Sequence, residues 1–408
     1  MTAEVQDKPK LFPLRQRTGT AAHHLSKRAV DFGQEDLHAL SEKQAVLLLA
    51  KLRWGSDKEM PCPHCGTMDS HYWTSKELRW KCKGCGKRFS ATSGSVLADH
   101  KLPVSKILKM VYSWATSSSG TPSLELRREW NVSYKTVFTL MHKLREGLLR
   151  AHNVGFLCGV QEVDGMDANG RRYREKRNKP QGGGNAPKPV MPADKLKEKV
   201  DPETGEITGP PKPPKWDKKR RQPADRRIVL VVRQRSVSKG RGGVGTRIAV
   251  AFGETTQTVM TLAKRFISAE STVMSDEDPA YHDFKKHFAK HESVAHSKAF
   301  SLPGGISNNL AESFNARIRR LLEGVYLNVS NKYLTDYAAE AAWREDVRRL
   351  STGKRLTHLL GTVLWAGLSN WWRGYGQGVH REEELLVEGN APAQPRGRKK
   401  GWTARPPK

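Results

Sequence analysis

The sequence predicts a multidomain chain in which a small cysteine-stapled module and a helical segment precede a larger mixed α/β core, itself broken by a basic insertion. Three observations carry that reading. Four of the five cysteines stand in two C-x-x-C pairs, Cys62 with Cys65 and Cys82 with Cys85. Apolar residues recur at helical spacing between 102 and 150 and then, from Gly159 onward, as short β-branched runs. Residues 171–226, after the first of these runs, are rich in Pro, Gly and Lys and hold too little apolar surface to offset the entropy of ordering, so a disordered basic insertion is expected there.

Charge narrows the partner. Lys and Arg outnumber Asp and Glu by 71 to 42, a net charge of +29 over 408 residues. A polyanion is what such a surface favours. No apolar run is long enough to cross a bilayer, so the charge points to nucleic acid rather than to a membrane. No secretory signal opens the chain, and the expected location is the cytoplasm.

In chain order, residues 1–35 are polar and basic without periodicity and read as a flexible arm. One amphipathic helix is expected over 32–53, opening at Gln34-Glu35-Asp36. It shares the segment 36–100 with the cysteine pairs. Two knuckles at this spacing let a hairpin fold back so that four thiolates surround one structural Zn2+, which makes the module a zinc ribbon; Gly66 and Gly86 follow each pair, where a tight turn needs them. Trp73 and Trp80 between the knuckles read as core, with base stacking the less favoured role. Cys158, the fifth cysteine, reads as a small buried apolar residue.

Segment 101–150 follows a helix-turn-helix plan. A helix from Val104 ends at the turn 119–122, a short helix covers 123–130, and Asn131-Val132-Ser133 leads into a longer helix from Tyr134 that Ser133 can cap. On that second helix Lys135, Lys143 and Arg145 are the candidate nucleic-acid contacts.

From 159 to 350 the expected order is a strand at 160–166, the insertion, strands at 227–233 and 247–252, a helix at 256–267, a strand at 271–275, and then helices. That order outlines an RNase H-like core. C-terminal helices at 351–385 and a basic tail at 386–408 complete the chain. Asp164 closes the first strand and Asp276 the fourth, while Glu312 lies on a helix expected over 309–322 whose apolar stripe is Leu310, Phe314, Ile318 and Leu321. Two strand-end carboxylates and one on a facing helix suit the oxygen coordination that hard divalent cations prefer.

Three blocks, Glu162-Val163-Asp164, Asp276 to Tyr281 with His296-Ser297-Lys298 behind it, and Asn308-Asn309-Leu310-Ala311-Glu312-Ser313-Phe314, together with the upstream ribbon, resemble the zinc-ribbon-bearing insertion-sequence transposases of bacteria, members of the DDE superfamily. The resemblance spans residues 40–350 outside the insertion. It implies a nucleoid-associated DNA transposase that binds the terminal inverted repeats of its element. Asp164, Asp276 and Glu312 would hold catalytic Mg2+ or Mn2+, and the enzyme would nick double-stranded DNA and join the freed 3′-end to target DNA. It also implies DNA contacts from His296, Lys298, Asn309 and Arg319, and a homo-oligomer that brings two ends together. The chain departs from its relatives in places. Gly165-Met166-Asp167 stands where relatives show an acidic residue and an aromatic, making Asp167 a rival ligand; Asn309 is the rival of Glu312; Arg319 replaces a lysine. A non-catalytic DNA-binding regulator and a metal-dependent nuclease that never joins strands are the alternative readings.

Overall fold

The computed structural model describes residues 26–168, 227–238, 242–294, 305–327 and 329–373, together with His23 and the short stretches 199–200, 207–208, 301–302 and 383–386. These fall into two compact units, one formed by the chain up to Met141 with Asp346–Ser369, the other by His142–Glu345 and the residues from Asn370.

The first unit opens with α1 (Gln34–His38) and α2 (Glu42–Trp54) rather than one continuous helix. Ser41 breaks the run: its hydroxyl accepts from Gln44 N at 3.4 Å while the Gln44 side chain accepts from Ser41 N at 2.8 Å, a reciprocal cap that starts a new helix. The ribbon follows as β1 (Met60–Pro61), β2 (Met68–Asp69), β3 (Tyr72–Thr74), β4 (Arg79–Lys81) and β5 (Arg88–Phe89). Trp80 and Phe89 are its core, Trp80 packed edge-on to the half-buried Trp73 at 4.8 Å and stacked on Phe89 at 5.9 Å, while Tyr72 is exposed. Next come α3 (Val104–Thr116), α4 (Ser123–Trp130) and α5 (Tyr134–Ala151), close to the expected bounds. Pro103 offers α3 no side-chain cap, and the Glu42 carboxylate supplies one from a distance, accepting from Val104 N at 2.5 Å and Ser105 N at 3.0 Å. Between α4 and α5, Asn131 takes the left-handed conformation (φ 45°), and Ser133 caps α5 by accepting from Thr136 N at 3.2 Å.

The expected loose arm is partly fixed. Residues 1–22 lie outside the described residues, but Asp31 accepts from Ser351 Oγ at 2.6 Å and Gly353 N at 2.8 Å, at the start of the helix Thr352–Val363. Those bonds hold the Asp31 carboxyl below its ordinary pKa.

The second unit is built on one sheet. Its strands are β6 (Val160–Asp167), β9 (Ile228–Arg235), β10 (Gly243–Ala251), β11 (Thr272–Asp276) and β12 (Lys290–Val294), in the order β10-β9-β6-β11-β12. The first three form an antiparallel meander, whereas β11 runs parallel to β6 and β12 parallel to β11. β7 (Lys199–Val200) and β8 (Ile207–Thr208) pair within the expected insertion, the rest of which lies outside the described residues. Helix α6 (Thr256–Phe266) covers one face, burying Val259, Leu262 and Phe266 with Val163, Leu230 and Val232. On the other, α7 (Asn309–Arg320) and α8 (Leu334–Val347) bury Phe314, Ile318, Ala338 and Ala342 with Met166, Val229, Val231 and Val250. A strand covered on both faces has no polar side, which is why β9 reads as an unbroken apolar run. β12 escaped the sequence reading because an edge strand carries charge, here Lys290, His291 and Glu292.

After α8 the chain returns to the first unit as α9 (Thr352–Val363), the one helix among the described residues of 351–385. Leu386 N then donates to Val250 O at 2.7 Å along the open edge of β10; the basic tail beyond lies outside the described residues. Among the described residues no helix is long and apolar enough to cross a membrane.

Candidate active site and zinc centre

Period-two alternation puts Glu162, Asp164 and Met166 on the same face of β6, toward α7. Glu162 is wholly buried and docks that helix: its Oε2 accepts from Leu310 N at 2.6 Å and Ala311 N at 3.2 Å, while Oε1 pairs with Arg235 Nε at 2.6 Å. A carboxylate at a helix N-terminus satisfies two otherwise unpaired amides and meets the favourable end of the dipole. Arg235 also donates to Gly305 O and to both oxygens of Ser307, so the approach to α7 is tied to the same point.

With α7 fixed in this way, Asn315 reaches Asp164, its Nδ2 donating to Oδ2 at 2.8 Å. Asp276 comes from the neighbouring strand. β11 pairs with β6 as Thr272 with Val160 and Met274 with Glu162, and the same register carried two residues further sets Asp276 opposite Asp164. Asp276 Oδ1 accepts from Asp278 N at 3.0 Å, which orients it at the strand end.

Burial and neighbouring charges act on Asp164 together. The Asp164 carboxyl is pushed up to about 7, first by burial and then by the charges of Asp276, Glu254 and Glu312. Glu254 was not anticipated from the sequence; it stands in the link between β10 and α6, and the buried Tyr281 donates its phenol to it. The acids share one field without closing to a tight cage, since among the described residues the only group of three or more such side chains whose ligand atoms lie within 4.8 Å of one another is the four cysteines.

Those cysteines lie in the first unit. Cys62 and Cys85 sulfurs are 3.9 Å apart and Cys65 and Cys82 sulfurs 3.6 Å, bracketing the edge of about 3.8 Å expected for a tetrahedron of thiolates on zinc. Gly66 (φ 76°) and Gly86 (φ 71°) donate to Cys62 O and Cys82 O, closing the two knuckles in a conformation L side chains avoid. The four thiolates are positioned to bind zinc.

Two known domains match this chain. Residues 40–88 match the transposase zinc-ribbon domain, and residues 204–346 match the ISXO2-like transposase domain. A protein in the transposable element ISH50 of Halobacterium salinarum, itself uncharacterized, is 24% identical over 332 residues, which is 80% of this chain and 98% of that protein. No solved structure matches. The chain thus carries the zinc-ribbon and core domains found in insertion-sequence transposases.

The matched core segment contains Asp276 and Glu312, whereas Asp164 stands upstream of it. Asp167 is exposed and one position out of phase with Asp164, so it faces the other side of the sheet. Asn309 is the exposed first residue of α7; the buried asparagines are Asn308, which precedes the helix at its N-cap, and Asn315 on it. Arg319 is exposed. His296 and Lys298 lie outside the described residues.

On α5, Lys135 is exposed near the capped end, but Lys143 and Arg145 are buried. Arg145, 1% exposed, pairs with Glu340 at 2.7 Å and stacks its guanidinium 4.1 Å from the Tyr337 ring, which keeps it protonated. Its charge is spent inside the second unit, so it is withdrawn as a DNA contact; charge counted along a sequence does not show a buried partner. Arg145→Ala is expected to destabilise the protein by about 3–5 kcal/mol in chemical denaturation, because it strands Glu340 in the interior. Cys158 also departs from expectation, being exposed.

The ribbon gives a second test. Cys82→Ser, or a strong chelator, should unfold the ribbon and remove its zinc, seen as loss of one metal equivalent by elemental analysis and exposure of Trp80 in the emission spectrum.

Proposed function

We propose that this chain is a transposase that binds the terminal inverted repeats of its element and performs divalent-metal-dependent strand cleavage and strand transfer, with the second unit as an RNase H-like core. The observation that carries the reading is the set of acids around Asp164: Asp276 on the adjacent parallel strand and Glu312 on the helix that Glu162 docks. A sheet whose first three strands form a meander and whose last two run parallel to the first supports the fold assignment.

The donor set fits Mg2+ or Mn2+. It offers carboxylate oxygens, burial and then the neighbouring acids push the Asp164 carboxyl up to about 7, and Asn315 Oδ1 on the side chain that bonds Asp164 is buried with no hydrogen-bond partner among the described residues. Asp164, Asp276 and Glu312 would hold the ions, which when bound supply an activated water or 3′-hydroxyl and stabilise the leaving oxygen. Asn315 fixes the rotamer of Asp164, and Glu162 sets the depth at which α7 presents Glu312. In the first unit, Lys135 at the start of α5 is placed as a recognition helix places its base-reading residues, and exposed Arg79, Lys81, Lys83 and Lys87 give the ribbon a basic surface for phosphate. Joining two ends requires at least two copies in the active complex.

Incubation of the full-length protein with labelled element ends and Mn2+ tests this reading. Nicked ends and joined products are expected, both lost in Asp276→Asn while gel-shift affinity is kept. Tight binding without any cleavage would leave a regulator, and cleavage without joining would leave a nuclease.

A further inference from the structure

We propose that one face of the ribbon's three-stranded sheet binds the phosphates of duplex DNA, and that two of its cations, Lys83 and Arg88, are held in reserve by internal carboxylates that the DNA displaces. This rests on the reading of the protein as a DNA binder. β3, β4 and β5 pair antiparallel in that order, with Tyr72 opposite Lys81 and Lys81 opposite Arg88. Residues opposite one another share a face, so these three form a row across the sheet, with Thr74 and Arg79 as a second row beside it.

The other face carries Trp73, Trp80 and Phe89 in the same register and forms the ribbon's core. The two rows are therefore turned outward: Tyr72 is 62% exposed, and Arg79, Lys81 and Arg88 are exposed. No carboxylate stands in either row, and among the described residues Arg79 and Lys81 make no ion pair. Duplex DNA, with one negative charge per about 1.7 Å of axis, complements such a face. A single strand suits it less. Successive bases need several rings to stack on, and this face offers Tyr72 alone, both tryptophans lying on the core side.

The ion pairs at the margins of the face are the second observation. Lys83 Nζ lies 3.1 Å from Asp69 Oδ1 and 5.7 Å from the centre of the Tyr72 ring, and Arg88 Nη1 lies 2.5 Å from Glu77 Oε1. In each pair both side chains are at least a third exposed, so a phosphate can reach the cation from solvent. Exposed pairs of this kind contribute little to stability, and a phosphate offers the same oxygens as the carboxylate it replaces. Both cations are thus satisfied with and without DNA, and Asp69 and Glu77 set how tightly the ribbon holds it. Tyr72, with Lys81 opposite and Lys83 beside its ring, adds apolar contact with the sugars.

DNA binding by the full-length protein without added Mg2+ or Mn2+, followed by fluorescence anisotropy over a salt series, tests the inference. The probes are a duplex carrying an element end and a duplex of unrelated sequence. Arg79→Ala and Lys81→Ala should each weaken both complexes and lower the salt slope by about 0.9. Glu77→Gln and Asp69→Asn should tighten both about two- to fivefold, whereas Glu270→Gln, which neutralises an exposed acid of the second unit, should not. Tyr72→Ser should weaken binding and leave the slope unchanged. One zinc equivalent retained in each variant shows that its ribbon is folded. If the Arg79, Lys81, Glu77 and Asp69 variants bind as wild type does while Lys135→Ala binds less tightly, or if a single strand is held more tightly than the duplex, the inference is overturned and the protein remains a DNA binder. If the wild type binds neither duplex, that reading itself fails.

Discussion

Asp164→Asn should lose DNA cleavage by about a thousandfold or more and yet, without divalent metal at pH 8, should unfold at a higher temperature than the wild type. Both effects have one cause. The folded protein raises the Asp164 carboxyl to about 7, well above its unfolded value, by burial and by the charges of Asp276, Glu254 and Glu312. The native state therefore binds a proton that the unfolded chain releases at lower pH. Stability referred to this group is full below about pH 4 and is lost as pH rises through 7. Asparagine has no charge to repel, so the gain over wild type should grow between about pH 4 and 7 and level off above, at on the order of 2–4 kcal/mol. Saturating Mn2+ should reverse the ranking, raising the melting temperature of the wild type and not of the variant. A variant less stable than wild type at every pH would show that Asp164 is a structural ligand of Asn315 and nothing more.

The second large effect belongs to a residue that touches no substrate. Glu162→Ala should cost about 3–5 kcal/mol and abolish cleavage together, since it removes the acceptor for Leu310 N and Ala311 N and strands Arg235 in a partly buried site. Glu312→Gln should abolish cleavage with a stability change below about 1 kcal/mol, because that side chain lies partly exposed on the docked helix. Denaturant titration beside a cleavage assay separates the two acids. Equal stability losses would contradict the division between an acid that builds the site and one that works in it.

The same pair shows how far the sequence can be read. Glu162 and Asp164 share a face of one strand, and what separates their roles is position under α7: one bonds the amides at its N-terminus, the other meets Asn315 a turn further on, within a strand that runs to Asp167 rather than closing at Asp164 as expected. Spacing made the ribbon legible because four thiolates at those intervals have few other uses, and terminal acids on apolar runs marked Asp164 and Asp276. Glu254 left no such mark, because it stands in a link between β10 and α6 that only the fold brings close enough to act on Asp164. Arg145 and Lys135 look alike as positive charges on one helix, and only the buried Glu340 tells them apart. Ser41 and Gln44 carried the helix break in plain view, as a capping box inside a run that periodicity alone reads as continuous.

Where a divalent ion sits can be measured directly. Replacing Mg2+ by Fe2+ in the full-length protein with ascorbate and peroxide, then mapping the hydroxyl-radical cuts in the polypeptide, reports the residues nearest the ion. The account predicts cuts clustered next to Asp164, Asp276 and Glu312, suppressed by excess Mg2+ and absent in Asp164→Asn. Cuts confined to other segments, or unchanged in that variant, would contradict it.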